Sequence, residues 1–252
     1  MADPLLQYSY LVTGVLEIAV PLLLGYFITR RYGVSWRVYE IGCVMFLVSL
    51  IRIPVNQAIA ALISDSFSGG YAYLLLIAFP SLTAGLFEES VRYVSFKFLV
   101  KEHDYRHGLM YGAGHGGIES IVLVGLNSLA LVLILAYSQS SIPSEQLNMI
   151  AASPPYIPFL GLYERFMAIV IQLGLSVMVM ESFSKQNNLY FMAAVFIHFL
   201  VNFVTLILLP YGIFVAEFVV TLFALGFYLY LRHVSSNIVG SDRSSLVGKE
   251  NA

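Results

Sequence analysis

Apolar residues dominate this chain in stretches of about 20 or more, the length a helix needs to cross the hydrocarbon core of a bilayer. Seven such stretches are present: Leu5 to Thr29, Val38 to Ile63, Tyr71 to about Val100, His107 to Tyr137, Gly161 to Phe183, Leu189 to Leu209 and Tyr211 to Leu231. The third is unusually long and carries charges in its second half. The long connection, Ser138 to Leu160, is polar and rich in proline (Pro143, Pro154, Pro155, Pro158), so it reads as a surface loop with room for one short interfacial helix. The pattern predicts an all-α fold: a polytopic membrane bundle of seven transmembrane helices over 1–232, then a solvated, poorly ordered cytoplasmic tail over 233–252. Pro21 and Pro54, with Gly14 and Gly42, mark places for local kinks.

Composition agrees. Of 252 residues, 59% are hydrophobic and 11% charged, where soluble domains run to roughly 45–50% and ~25%, which excludes a water-soluble fold. A formal net charge of −2 argues against a nucleic-acid partner, and the single cysteine, Cys43, excludes a disulfide framework and a Cys-rich zinc site. Any metal site must use histidine and carboxylates. Arg30, Arg31, Arg37, Lys97, Lys101, Arg106, Lys185, Arg232, Arg243 and Lys249 all fall on connections one, three and five and the tail, while the opposite connections carry no Lys or Arg. Cytoplasmic loops are enriched in these residues, so the N-terminus is expected outside and the C-terminus in the cytoplasm.

Several ionisable residues lie within the expected spans. Glu40, Glu181, Glu164, Arg165 and Glu217 are near enough to span ends to reach the interface. Deeper groups cost at least roughly 2.5 kcal/mol each on insertion scales unless paired or hydrated. Counted from the cytoplasmic span ends, His115 lies about 12 Å deep, His198 about 13 Å and Glu88 about 18 Å, with Glu119 and Asn202 one turn beyond their histidines. These residues should share one layer and line a polar cavity on the cytoplasmic half of the bundle. Glu17 and Arg52 match in depth near the bilayer middle and are expected to pair.

In Glu88-Glu89-Ser90-Val91-Arg92 both carboxylates are within helical reach of the arginine. One can pair with it, and the other is free to act as a general base for water. The glycines of Gly112-Ala113-Gly114-His115-Gly116-Gly117-Ile118-Glu119 allow close helix approach, which would bring His115 against the third span. His115 with Glu119, and His198 with Asn202, are i,i+4 pairs suited to holding a metal or to orienting one group by the other.

The motifs Glu88-Glu89-x-x-Arg92, Gly112-x-Gly114-His115-Gly116-Gly117-x-Glu119, Glu164-Arg165-x-x-Ala168 and His198-x-x-x-Asn202 resemble those of the YhfC-type intramembrane metalloproteases. That family is similar to a wider superfamily of CAAX prenyl endopeptidases, bacteriocin-processing enzymes, PrsW proteases and the anterior-pharynx-defective subunit of γ-secretase. The resemblance implies an intramembrane endopeptidase in a bacterial plasma membrane, acting on a membrane-embedded or membrane-proximal peptide. Glu88 and Glu89 would include the water-activating carboxylate, held by Arg92. His115 and His198 would bind a metal or polarise the scissile carbonyl, and Asn202 would assist. If zinc is the cofactor, its ligands would be His115, His198 and a carboxylate such as Glu119. Where the family pattern has another histidine on the fifth span, this chain has Gln172, a poor zinc ligand, so a glutamate-type hydrolysis without metal stands beside the metal-dependent one. Two other functions compete: a non-catalytic scaffold or immunity protein binding a peptide or partner helix, and a small transporter, against which stands the lack of an internal repeat.

Overall fold

The computed structural model describes residues 4–137 and 143–250, with side chains described as far as Asn237 of the final helix. The helices are α1 (Pro4–Tyr32), α2 (Trp36–Ser49), α3 (Arg52–Ser66), α4 (Gly69–Phe98), α5 (Tyr105–Ser120), α6 (Leu126–Tyr137), α7 (Ser144–Ala151), α8 (Ile157–Ser184), α9 (Leu189–Leu208) and α10 (Ile213–Glu250). No strand occurs among the described residues. Seven helical stretches are long and apolar enough to cross a membrane: Pro4–Tyr32, Trp36–Ser66, Gly69–Phe98, Tyr105–Tyr137, Ile157–Ser184, Leu189–Tyr211 and Ile213–Asn237. The chain is therefore a multi-pass membrane protein, as its hydropathy predicts. α7 is the short helix expected in the long connection, whose positions 138–142 lie outside the described residues. The tail expected from position 233 begins within α10, and its side chains beyond Asn237 also lie outside those described.

Two spans are interrupted, each for a local reason. The second breaks between α2 and α3 at Leu50-Ile51. Pro54 has no N–H to give the Leu50 carbonyl, and its ring crowds that carbonyl. The fourth passes through a π-helical turn, Ile121–Gly125, between α5 and α6. Such turns shift the facing of side chains beside them and often lie near functional sites; here the turn directly follows Glu119 and Ser120.

The glycines of α5 set the architecture. A Cβ on Gly114 would lie 2.0 Å from the Tyr39 carbonyl oxygen, and one on Gly42 would lie 2.4 Å from the Tyr111 carbonyl oxygen, so α2 and α5 touch backbone to backbone. On the next face, a Cβ on Gly112 would lie 2.8 Å from Leu173 Cα of α8. α5 is thus clamped between α2 and α8, while α4 packs mainly on α9. His115 still reaches α4, its Nε2 lying 3.2 Å from Glu88 Oε2. Large apolar residues such as Leu23, Phe27, Val48, Phe196 and Leu229 face outward, and Glu88, Glu89, Arg92, His115 and Gln172 are buried, the arrangement of a bundle solvated by lipid with its polar groups inside.

The expected pairing of Glu17 with Arg52 does not form. Glu17 on α1 accepts a hydrogen bond from Ser120. Arg52, the first residue after the break in span two, reaches α4 and bonds Glu88 at 3.2 Å. Matching depth fixes a level in the bilayer but not which neighbour a side chain meets, and Glu88 shares that level.

Candidate active site

Four helices bring their polar side chains to Glu88. Its Oε1 accepts from Arg52 Nη2 at 3.2 Å. Its Oε2 is 3.2 Å from His115 Nε2 on α5 and 3.4 Å from Gln172 Nε2 on α8, and His198 Nε2 on α9 stands 3.9 Å away. That last separation is too long for a direct hydrogen bond and is within the span of a single bridging water. Glu88 is 2% exposed and His115 is fully buried.

The neighbouring carboxylate does different work. Arg92 Nη1 donates to both oxygens of Glu89, at 2.8 and 3.0 Å. Glu89 Oε1 in turn lies 2.6 Å from His198 Nδ1. Glu89, which already accepts from Arg92, also accepts from His198, so Nδ1 carries the hydrogen and the Nε2 lone pair of His198 faces Glu88. His115 is settled by the opposite logic: Nε2 donates to Glu88, and Nδ1, which has no partner, is left as an acceptor. The His115 ring meets Phe46 edge-on at 5.2 Å, which fixes its plane.

Gln172 is the hub that sequence reading undervalued. Its Oε1 accepts from Arg92 Nη2, and its Nε2 donates to Glu119 Oε2 at 2.6 Å as well as facing Glu88. An amide can do this because it offers a donor and an acceptor at once. Depth alone pairs Arg52 with Glu17, and no signal short of a three-dimensional packing of the break after α2 points it at Glu88. Asn202 lines the same cavity one turn from His198. Glu119 faces Gln172 and, at 3.2 Å, Arg165. Arg165 is 16% exposed and ion-paired, and Glu217 is buried.

The cavity beside these residues has a volume of about 200 Å³ and runs from Glu88, His198 and Asn202 past Arg165 and Glu164 to Thr205 and Leu206. It thus extends toward the end of the bundle where α9 meets α10, away from the end bearing the basic connections. On the basic side the site is floored by buried Phe96, Tyr111 and Met110, with Tyr111 bonded to Ser95 at 3.1 Å. Glu88, Glu119, His198 and Asn202, expected to line one polar cavity, do line this one, and it extends toward the end opposite the basic connections. A larger space of about 650 Å³ does lie at the basic end, among Tyr105, Arg106, Glu181, Lys185, Tyr230 and His233, but none of the site residues borders it.

Residues 16–224 match the family described as YhfC intramembrane metalloprotease. The chain belongs to that family. It is 30% identical over 207 residues to the uncharacterised membrane protein YhfC of Bacillus subtilis (strain 168), covering 75% of this chain and 80% of that relative. No solved structure matches.

The name of the YhfC family implies a metal, and the donor set can be tested for one. Among the described residues no three His, Cys, Asp or Glu side chains converge as metal ligands. Within the proposed set of His115, Glu119 and His198, Glu119 is engaged by Gln172 and Arg165, and His115 Nε2 is on Glu88. Arg52 and Arg92 bring two guanidinium charges onto Glu88 and Glu89, which oppose a further dication. The arrangement does not fit a three-ligand metal site.

Proposed function

We propose that this chain is an intramembrane endopeptidase in which Glu88 activates a water molecule against a peptide carbonyl. The observation that carries the reading is the convergence of His115 Nε2, Gln172 Nε2 and His198 Nε2 on one buried Glu88 oxygen at the wall of a cavity. A polar constellation this deep is costly in lipid and is retained where function needs it. Glu88 Oε2 takes a proton from the water as its oxygen attacks the carbonyl carbon. The resulting oxyanion is met by the Asn202 amide N–H while His198 Nε2 accepts the other hydrogen of the water, and the proton passes from Glu88 to the departing amine nitrogen as the C–N bond breaks. Glu89 and Arg92 are positioning residues for His198. Gln172 and Arg52 orient Glu88. With the orientation assigned from the basic residues, the cavity faces the outer half of the membrane, and the substrate is a membrane-embedded or membrane-proximal peptide.

The Arg52–Glu88 ion pair favours one other reading, a scaffold that binds a peptide or helix without cutting it, because a carboxylate held by a guanidinium can serve as a brace. The deciding experiment incubates lipid-reconstituted protein with a set of transmembrane peptides in H₂¹⁸O and reads new termini by mass spectrometry. Cleavage with one ¹⁸O in the new carboxyl, abolished in Glu88→Gln, supports the peptidase. Binding that survives Glu88→Gln, with no new termini from wild type, supports the scaffold.

A further inference from the structure

Arg52 is only partly used by the resting site. Its Nη2 donates to Glu88 Oε1 at 3.2 Å. Its Nη1 makes no hydrogen bond among the described residues, and its Nε is buried without a partner. A guanidinium carries five N–H donors in a planar fork, so one bond leaves most of them unspent. Arg92 shows what a bracing arginine looks like in the same bundle. Its Nη1 grips both oxygens of Glu89, its Nη2 bonds Gln172, and its side chain is 0% exposed. Arg52 instead keeps 19% side-chain exposure and lines the cavity together with Glu88, His198 and Asn202.

The interruption of span two puts Arg52 in this place. It opens α3 directly after the break at Leu50-Ile51, and α3 packs on α4, the helix that carries Glu88. Charge then moves beside it in the step assigned to Glu88. As the water oxygen bonds the carbonyl carbon, an O–H bond of the water breaks, its proton goes to Glu88 Oε2, and the carbonyl π pair moves onto oxygen. Glu88 loses its negative charge as the oxyanion gains one. The hold of Arg52 on Glu88 therefore weakens in the same event that creates a new anion in the cavity. Only an interaction stronger in the transition state than in the ground state speeds a reaction, and a cation already fixed at the cavity wall supplies one without reorganisation. When the tetrahedral species collapses, the C=O bond re-forms, the C–N bond breaks, the nitrogen takes the proton from Glu88, and the carboxylate returns to Arg52.

We propose that Arg52 is a further catalytic residue, whose guanidinium pairs with Glu88 at rest and binds the carbonyl oxygen of the substrate as it becomes an oxyanion, beside Asn202. The inference rests on the reading of Glu88 as the catalytic base. The free Nη1 is the donor for that oxygen, and the bond from Nη2 to Glu88 keeps the fork next to the carboxylate that activates the water.

The test uses a tetrahedral anion in place of the intermediate. Full-length protein in neutral detergent is titrated with dimethylphosphinate and with its neutral isostere dimethyl sulfone, and binding is followed by NMR of the probes. Glu88→Gln stands for the protonated carboxyl, so it should bind the anion at least about tenfold more tightly than wild type does, and more tightly than it binds the sulfone. Adding Arg52→Gln to Glu88→Gln removes both charges of the pair together and strands neither; thermal unfolding checks that the fold is kept. This double variant should lose the preference for the anion, and Arg52→Lys in the same background should keep part of it. Equal anion affinity with and without Arg52, or no anion binding in Glu88→Gln, overturns the proposal. Cleavage of transmembrane peptides by lipid-reconstituted protein separates this failure from that of the peptidase. Arg52→Gln alone should lower kcat by about 10²–10³-fold, and Glu88-dependent cleavage at the wild-type rate in this variant sinks the role of Arg52 alone. Anion binding that needs Arg52, without any Glu88-dependent cleavage, sinks the peptidase and with it the catalytic role, leaving an anion site.

Discussion

Gly114→Ala is the smallest change that should disable this protein at a distance from its reacting groups. A Cβ at position 114 would lie 2.0 Å from the Tyr39 carbonyl oxygen, about 1.4 Å short of ordinary contact at 3.4 Å. The obstacle is backbone, so the strain is relieved only by separating α2 from α5 or by rotating α5. Overpacking of this kind typically costs about 1–3 kcal/mol, against a gain of roughly 0.5–1 kcal/mol for replacing glycine by alanine in a helix. A net loss of about 1–2 kcal/mol would lower the melting temperature by roughly 2–8 °C in a chain of this size. The effect on activity should be larger, because His115 is the next residue and its Nε2 is 3.2 Å from Glu88. A shift of about 1 Å breaks that contact, and misplacement on that scale can cost on the order of 10²-fold in rate. The assay pairs thermal unfolding in detergent with peptide cleavage, and Gly226→Ala, which has open space around its new methyl, is the control. Wild-type stability and activity in Gly114→Ala, matching Gly226→Ala, would refute the close α2–α5 contact and with it the route by which His115 reaches α4.

Other perturbations separate the roles at the site. Glu89→Gln removes the carboxylate partner of fully buried Arg92, and breaking a buried pair costs about 3–5 kcal/mol; unfolding should show a far larger loss of stability than for Glu88→Gln, and equal losses would contradict the division of labour between the two carboxylates. Asn202→Ala should leave folding intact and slow cleavage by about 10²–10³-fold, the usual cost of an oxyanion donor, as steady-state kinetics on a fixed peptide will show. Asp104 caps α5 by accepting from the His107 backbone N–H at 3.0 Å. Burial pushes its carboxyl up, but the hydrogen bonds from His107 and the nearby Arg106 outweigh this and hold it below the usual aspartate value. A depressed folded-state value means this contribution is present above the ordinary aspartate range and is lost as pH falls through the folded-state value. Asp104→Ala should cost about 1 kcal/mol at neutral pH and progressively less toward acid in melting experiments; a cost independent of pH would contradict the cap.

The seven spans are legible because lipid imposes a length and a hydropathy on each. The break at Leu50-Ile51 is legible only as a kink near Pro54, and the π turn after Ser120 leaves no mark in the pattern. The level of the site is legible from depth arithmetic, which puts Glu88, His115 and His198 in one layer. Partner choice within that layer is not: Arg52 matches Glu17 as well as Glu88 in depth, and only the packing of α2, α4 and α5 decides between them. Gln172 stands out in the sequence as a departure from a ligand, whereas its position makes it the bridge between Arg92, Glu119 and Glu88. The direction of the cavity depends on where Phe96 and Tyr111 fill space, and no periodicity encodes that.

The central claim is that Glu88 acts on water without a metal between them. The most direct measurement is the cleavage rate of wild-type protein stripped of metal by chelation, with residual zinc counted by elemental mass spectrometry on the same sample. The account predicts an undiminished rate at well below about one zinc per chain, as expected if the three groups facing Glu88 orient the base themselves. A rate that falls in proportion to the zinc removed, and returns when about one zinc per chain is restored, would contradict it.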